Sequence, residues 1–332
     1  MKIVDLSGKT IVISRTDSIG DVILTLPLCG WLKKQFPTVK IIFLGKYYTV
    51  DVLKCSPYID EIIRLEDWEK VSFNEQIEIV KALDIYAFVH VFPNKHLAKL
   101  GRAAKIPVRV GTSHRMFHLF TCNFRPNFTR KNSNFHEAQL NFELLRSFGV
   151  KSLPKIEELV EYIGNFKPQV ELPNQLKEVL KSGKRVILHT KSQGSAVEWP
   201  MEKYVQLAIE LAAKNYTVYF SGTEKEGLQF RDALPNHPQI IDISGKSSLA
   251  ELITFIDKCD VLVACSTGPL HLAAVLGKKA IGLYTDLRPM HPGRWAPIGA
   301  KSIAITANSS GDPKLEDIYS IGVDRIVQII ER

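Results

Sequence analysis

The sequence predicts an α/β protein of two domains, each a parallel sheet wrapped by helices. Three observations lead there. The chain has 332 residues, and domains run to roughly 100–200 residues each. Short apolar runs alternate with longer amphipathic ones through both halves, the pattern of strand–helix crossovers. Some runs, Val186–Leu188 and Val261–Ala264 among them, are continuously apolar, as strands buried on both faces are.

In the first half, strands are predicted over Ile11–Ser14, Val39–Gly45, Glu61–Leu65, Ala87–Phe92 and Val108–Gly111. Helices are predicted over Val22–Gln35, Phe73–Ala82, Lys95–Ala104 and Phe135–Phe148. Pro27 must fall in a first turn or kink its segment. The second half repeats the pattern, with strands over Arg185–Thr190, Thr217–Gly222, Ile240–Ile243, Val261–Cys265, Ala280–Tyr284 and Ser302–Thr306. Its helices are predicted over Met201–Lys214, Lys225–Leu234, Ser248–Lys258 and Pro269–Leu276. Between the halves, Lys151–Lys184 carries Pro154, Pro168 and Pro173. The boundary is therefore placed near Gly164–Pro168, giving domains 1–165 and 166–332. The last stretch, Lys314–Arg332, reads as a helix that could pack back on the first domain (its apolar side holds Ile318, Ile321, Ile326, Val327 and Ile330).

Hydrophobic residues make up 45% and charged residues 23%, so large cores can form. No apolar stretch reaches the roughly 20 residues of a membrane span, and Met1–Thr10 has no signal-peptide pattern. The expected location is cytoplasmic. Five widely spaced cysteines without a Cys-x-x-Cys exclude a disulfide framework and a thiolate zinc site. Net charge is +8, which favours anionic partners. The cations are spread and no RNA-binding signature occurs, so nucleic acid is not expected. Arg109–Lys131 is locally rich, with Arg109, His114, Arg115, His118, Arg125, Arg130 and Lys131 and no acid. It is either a solvated loop or a patch facing an anionic acceptor or lipid headgroups.

In open α/β sheets, ligands bind beyond the carboxyl ends of strands, so the chemistry is sought in strand-to-helix loops. The first is Ser14-Arg15-Thr16-Asp17-Ser18-Ile19-Gly20-Asp21. Gly20 permits a tight turn or a close approach. Asp21 is either a helix cap or a general base, with Asp17 a weaker competitor. The second loop, His189-Thr190-Lys191-Ser192-Gln193-Gly194-Ser195, offers hydroxyls, N–H groups and one cation to a diphosphate; it is not a Walker motif. The third, Cys265-Ser266-Thr267-Gly268-Pro269-Leu270-His271, joins good cap residues to a proline suited to a first turn. Its alternatives are an anion site with His271 donating or a well-capped helix. Glu226, in preference to Glu224, could accept from a ribose diol. Gly245–Ser248 could line a base pocket, and Arg294 could reach the site.

Taken in order, these motifs resemble glycosyltransferase family 9, the lipopolysaccharide heptosyltransferases. The match runs from Arg15-x4-Gly20-Asp21-x5-Pro27, through Trp199-Pro200 and Ser266-Thr267-Gly268-Pro269-Leu270-His271, to Arg294-Trp295. The resemblance implies a GT-B fold of two facing Rossmann-like domains, acceptor in the first and nucleotide sugar in the second. It implies inverting transfer, typically of heptose from an ADP-sugar to the inner core of lipopolysaccharide. Asp21 takes the place of the base, and Thr267, Gly268 and His271 that of the pyrophosphate site. The chain departs from the family in two places: Ser266 stands where an aspartate is common, and Val197 where a lysine is common. Lys191 is the expected substitute for that lysine.

The expected sites are then Asp21 for catalysis; Thr190, Lys191, Ser192, Glu226, Ser266, Thr267, Gly268, Pro269 and His271 for the donor; and Arg15, Ser18, Gly20 and Arg115 for the acceptor. No metal site and no cofactor are expected beyond the nucleotide sugar, ADP-heptose first, as substrate. The expected partners are that donor and a lipopolysaccharide-core acceptor, with a monomer in peripheral contact with the inner membrane surface. The alternatives are a transferase or binder for another nucleotide sugar and a sugar-nucleotide epimerase. No Gly-x-Gly-x-x-Gly follows the first strand, which argues against a nicotinamide-dependent dehydrogenase.

Overall fold

The computed structural model describes residues 3–131, 133–307 and 314–332. The chain forms two compact units, Met1–Phe166 and Lys167–Arg332. The first holds five strands: β1 (Thr10–Ser14), β2 (Lys40–Gly45), β3 (Glu61–Arg64), β4 (Ile85–His90) and β5 (Val108–Val110). All pair in parallel, in the order β3-β2-β1-β4-β5. The second holds β6 (Arg185–His189), β7 (Thr217–Ser221), β8 (Ile240–Asp242), β9 (Val261–Cys265), β10 (Lys279–Tyr284) and β11 (Ser302–Thr306). These are parallel too, in the order β11-β10-β9-β6-β7-β8. Each sheet thus has its first strand at the centre, and strand order reverses beside it. That reversal is the switch point where such folds bind ligands.

Every predicted strand is present, because continuous apolar runs can only be buried on both faces of a parallel sheet. Val12, Ile42, Leu44 and Phe88 meet Leu97 and Leu100 in the first core. Val186, Leu188, Val218, Phe220 and Val263 anchor the second. All five cysteines are buried and unpaired, and burial pushes the Cys29 thiol up to about 12. Among the described residues no helix is long and apolar enough to cross a membrane.

The helices depart more from expectation. Val22–Gln35 is two helices, Ile19–Ile23 and Leu26–Gln35, and Pro27 sits in the first turn of the second. There its missing N–H costs nothing. Phe135–Phe148 is a helix, Glu137–Phe142, running into a tighter 3₁₀ turn that ends at Gly149 with φ 111°. Lys225–Leu234 reduces to Glu224–Gly227 and a 3₁₀ turn at Arg231–Ala233. The basic stretch is not simply a loop, since it contains β5 and a helix, Met116–Thr121.

The final stretch divides into a 3₁₀ turn at Leu315–Ser320 and a helix at Val323–Glu331. Ile326, Val327 and Ile330 join Trp199, Leu207 and Leu211 in the second unit's own core. Trp199 Nε1 donates to the Ile321 carbonyl at 3.2 Å, which fixes the entry to this helix.

Sequence patterning also misses the helix Ile156–Ile163. Within the first unit it crosses Leu26–Gln35 at Gly30, where a Cβ would lie 1.9 Å from the Tyr162 carbonyl oxygen. Only a missing side chain allows this approach. Gly30→Ala should therefore destabilise the chain by about 1–3 kcal/mol, the usual cost of overpacking, although alanine is the better helix former by about 1 kcal/mol. Urea unfolding followed by circular dichroism measures it, and an unchanged or raised midpoint would refute the close contact.

Candidate functional site

In the first unit, β1 delivers Arg15 into the interior. Its side chain is 3% exposed, so its charge must be met by partners. Nε donates to Asp17 Oδ1 at 2.7 Å and Nη1 to Glu137 Oε1 at 3.1 Å, while Nη2 pairs with Asp21 Oδ1. Glu137, on the helix Glu137–Phe142, is fully buried. It also accepts from Arg130 Nε at 2.6 Å. Asn141, one turn on, accepts from Arg130 Nη2 at 2.8 Å and donates to the Leu24 carbonyl at 3.1 Å. Burial alone would lower the Arg15 pKa, but Asp21, Glu137 and Asp17 together hold it above its ordinary range. Burial raises Asp17 to about 6, with the Asp21 charge adding to the shift and Arg15 opposing it.

Asp21 lies in the first turn of Ile19–Ile23, and Ser18 is the N-cap. The Ser18 hydroxyl bonds Asp21 Oδ2 and accepts from the Asp21 N–H. Both readings of Asp21 therefore hold in one place: it completes a cap, and its carboxylate is oriented by a buried arginine. Gly20 needs no left-handed turn, because it sits inside that helix and is absent from the positive-φ residues. The tight-turn reading is corrected, and close approach is what its missing side chain leaves. Arg115 is exposed at the N-cap of Met116–Thr121. Among the described residues it is hydrogen-bonded to none of the Arg15 cluster.

In the second unit, the predicted loops follow β6 and β9, neighbouring strands at the switch point. They touch: Ser195 Oγ donates to the Ser266 carbonyl at 3.4 Å. Thr267 is the N-cap of Gly268–Val275 by position, with Pro269 in the first turn, yet its side chain makes no capping bond. The well-capped alternative is thereby corrected. The Thr267 hydroxyl is buried without a partner among the described residues, and so is that of Thr190. Uncapped N–H groups and two unmet hydroxyls at one place form an anion-ready cradle. His271 is buried in the first turn of the same helix.

Glu226 is nearly buried and closes a capping box with Thr223, whose N–H and hydroxyl reach Oε2 at 2.6 and 2.9 Å. Burial pushes its carboxyl up, but these bonds and His189 bring it below the usual range. Glu224 is instead held by Arg231 at 2.9 and 3.0 Å, away from the ligand loops. His189 bonds Ser221 Oγ at 3.0 Å, and burial keeps its pKa low. Arg294 lies over the Trp295 ring at 4.7 Å.

Sequence reasoning missed two acids. One is Glu137, whose position, seven residues past Arg130, carries no motif. The other is Glu198, immediately before Trp199-Pro200. Its Oε1 accepts from the Ser192 N–H and hydroxyl at 2.8 and 3.1 Å, and its Oε2 from Lys191 Nζ at 3.1 Å. Lys191 and Ser192, both expected to face a diphosphate, are bound to a carboxylate in this structure.

With both switch points described, the comparisons can be read. The profile of Glycosyltransferase family 9 (heptosyltransferase) matches residues 91–320. The chain belongs to that family. It is a glycosyltransferase, and its two Rossmann-ordered units are those of the GT-B fold. A provisionally named glycosyltransferase of Haemophilus influenzae is 28% identical, covering 87% of this chain and 86% of its own. A crystal structure of a family 9 glycosyltransferase from Veillonella parvula has TM-score 0.80 at 20% identity, covering 99% and 98% of the two chains. The structure of Escherichia coli ADP-heptose lps heptosyltransferase II gives 0.75 at 19%, with 97% of each covered. At those identities the two structures speak for the fold alone.

In this family member, Glu137 is the buried counter-charge for two arginines. Removing it takes a fully buried carboxylate from Arg130 and leaves Arg15 with Asp17 and Asp21 only, at a cost of up to about 3–5 kcal/mol. Glu137→Ala should lose that much stability in a urea titration, and Glu137→Gln distinctly less. If the two variants unfold at the wild-type midpoint, the Arg15 cluster does not depend on this acid.

Proposed function

We propose that the chain is an inverting transferase that moves heptose, or a related sugar, from an ADP-sugar to the inner core of lipopolysaccharide. The unmet Thr190 and Thr267 hydroxyls beside an uncapped helix start are the observation that carries the donor side. The second unit is the donor unit in this reading. Thr267, Gly268 and His271, with Pro269 setting the turn, receive the diphosphate. Thr190, Lys191, Ser192 and Ser266 border it, and Glu226 accepts from the ribose. The first unit receives the acceptor, with Arg15, Ser18 and Gly20 around Asp21, and Arg115 toward acceptor phosphates. The family, described as that of heptosyltransferases, supports ADP-heptose as the donor. The enzyme would work as a cytoplasmic monomer at the inner face of the membrane.

In the reaction, the acceptor hydroxyl oxygen bonds to the anomeric carbon as the bond from that carbon to the diphosphate breaks. Asp21 takes the hydroxyl proton, and the electron pair leaves with the nucleoside diphosphate. Its growing charge is met by the Gly268–Val275 helix start, where preorganised donors are worth about 10²–10³ in rate each. Arg15 fixes the Asp21 carboxylate from behind, so that Oδ2 and its Ser18 partner are the side open to an acceptor.

Asp21→Ala should lower transfer by about 10²–10⁴, the usual scale of general-base assistance, with calorimetric ADP binding unchanged. Transfer at the wild-type rate would remove Asp21 from the mechanism. The Lys191–Glu198 pair favours a second reading, a donor other than ADP-heptose or a binder with little turnover. A partly exposed pair is worth up to about 1 kcal/mol, so Glu198→Gln should tighten ADP binding up to about fivefold by releasing Lys191. Unchanged or weaker binding in calorimetry would mean that Lys191 does not serve the diphosphate.

A further inference from the structure

We propose that the first unit carries a bilayer-docking face, built by the helices Met116–Thr121 and Lys95–Ala103, whose partner is a membrane surface rich in anionic phospholipid. The inference deepens the membrane-side acceptor reading above by naming the surface; it rests on that reading only for its purpose.

The helix Met116–Thr121 is six residues long. Three of them are large, apolar and outward: Met116 is 79% exposed, Leu119 49% and Phe120 68%. This exposure is not that of a loose segment. His118 is fully buried, and its Nδ1 bonds the Thr112 carbonyl at 2.9 Å. Arginines secure the far end of the helix. Arg102 donates to the Phe120 carbonyl at 2.5 Å, Arg109 to Thr121 at 2.7 Å and Arg125 to Cys122 at 2.7 Å. The backbone is pinned from beneath, and the apolar side chains are left facing solvent. A contiguous apolar patch held open in this way marks an interaction surface.

The charge around it chooses the partner. From Ile85 to His136 the sequence has no aspartate or glutamate and nine lysines and arginines. Lys95, Lys99 and Arg102 recur at helical spacing on one face of their helix. With Phe73, Phe117 and Phe120 they line a concavity of about 520 Å³. Apolar side chains rimmed by cations are what an anionic bilayer receives: the former enter the headgroup–acyl boundary and the latter stay with the phosphates. A second copy fits poorly, since an isologous contact would set Lys95, Lys99 and Arg102 against their own copies. Single-stranded nucleic acid would stack on rings, which Phe120 offers, but Met116, the most exposed side chain of the helix, and Leu119 are aliphatic.

The test is flotation of the full chain with vesicles of phosphatidylcholine, with and without phosphatidylglycerol. No sugar donor or acceptor is present, so a failure here is separate from a failure of the transferase reading. The wild type should float with the anionic vesicles, less with the neutral ones, and less as salt rises. The exposed-site variant Met116→Ser/Leu119→Ser/Phe120→Ser should stay unbound while keeping the wild-type unfolding midpoint. Lys95→Gln/Lys99→Gln should weaken binding roughly fivefold per cation. Equal flotation of the triple-serine variant, or no flotation of the wild type, overturns the proposal. Wild-type self-association that the serine variant loses, without vesicle binding, assigns the face to a second copy and overturns it too. So does salt-sensitive retention of single-stranded DNA in place of vesicles.

Discussion

Strands β1 and β6 each have parallel neighbours on both sides, and this constraint governs everything that follows them. Because the strands of each sheet run parallel, each of them, the central one included, hands its chain on at the same carboxyl edge. Beside the central strand, the strand that starts the return half leaves at the same end. In the first unit this sends Arg15–Asp21 out of β1. In the second it sends Thr190–Ser195 out of β6 next to Ser266–His271 out of β9, and the 3.4 Å bond between Ser195 and Ser266 is the result. Apolar continuity sets the strand order, and the strand order gathers polar residues that are about 75 positions apart in sequence.

The two switch points solve opposite problems. The first is dense in charge and satisfied from within. Arg15 has three carboxylates, Glu137 has two arginines, and Asn141 ties the group to the backbone at Leu24. Such a network fixes orientation at the cost of desolvation, which is why Asp17 is driven up to about 6. The second is polar and incompletely satisfied. Hydroxyls at Thr190 and Thr267 are buried without partners among the described residues, and a helix begins without a side-chain cap. Buried groups of this kind carry an energetic penalty that a ligand oxygen would relieve. An oriented carboxylate and a set of unmet hydroxyls at a helix start are different kinds of preparation, and the proposed proton acceptor and diphosphate site call for one of each.

The central strands could be read from the sequence because a doubly buried strand has little choice of residue type, and the partly buried edge strands β3, β8 and β11 because their β-branched residues suit a pleated surface. The helix ends were less legible. Pro27 warned of a break before Leu26–Gln35, but nothing local marked Ile156–Ile163, whose place depends on Gly30 meeting Tyr162. The site residues divide in the same way. Asp21 and Thr267 could be picked out because helix starts are marked locally, although the Thr267 hydroxyl makes no capping bond. Glu137 lies 122 positions from Arg15, and no local pattern encodes a partner at that separation. Glu198 was closer to view, since it neighbours Val197. Its bonds reach back six and seven residues, to Ser192 and Lys191, across a loop that no regular period describes. Of the two uses that glycine permits at Gly20, a tight turn or a close approach, the fold removes the first by placing the residue inside a helix.

Depth sorts the charge of the first unit. The long acid-free stretch ends at Glu137, and that acid is the one placed fully inside. There it answers Arg15 and Arg130, so the interior needs no further carboxylate from the stretch. Arg102, Arg109 and Arg125 spend donors on carbonyls around the end of Met116–Thr121, where a cation also answers the negative end of a helix. What the stretch leaves at the surface is positive charge with no acid of its own to neutralise it. An acid placed out there would gain little from exposed pairing and would weaken the attraction of the face for a negative surface. The same economy that secures Asp21 from within thus leaves the outside of the unit cationic, and Met116, Leu119 and Phe120 stand in the middle of that cationic field.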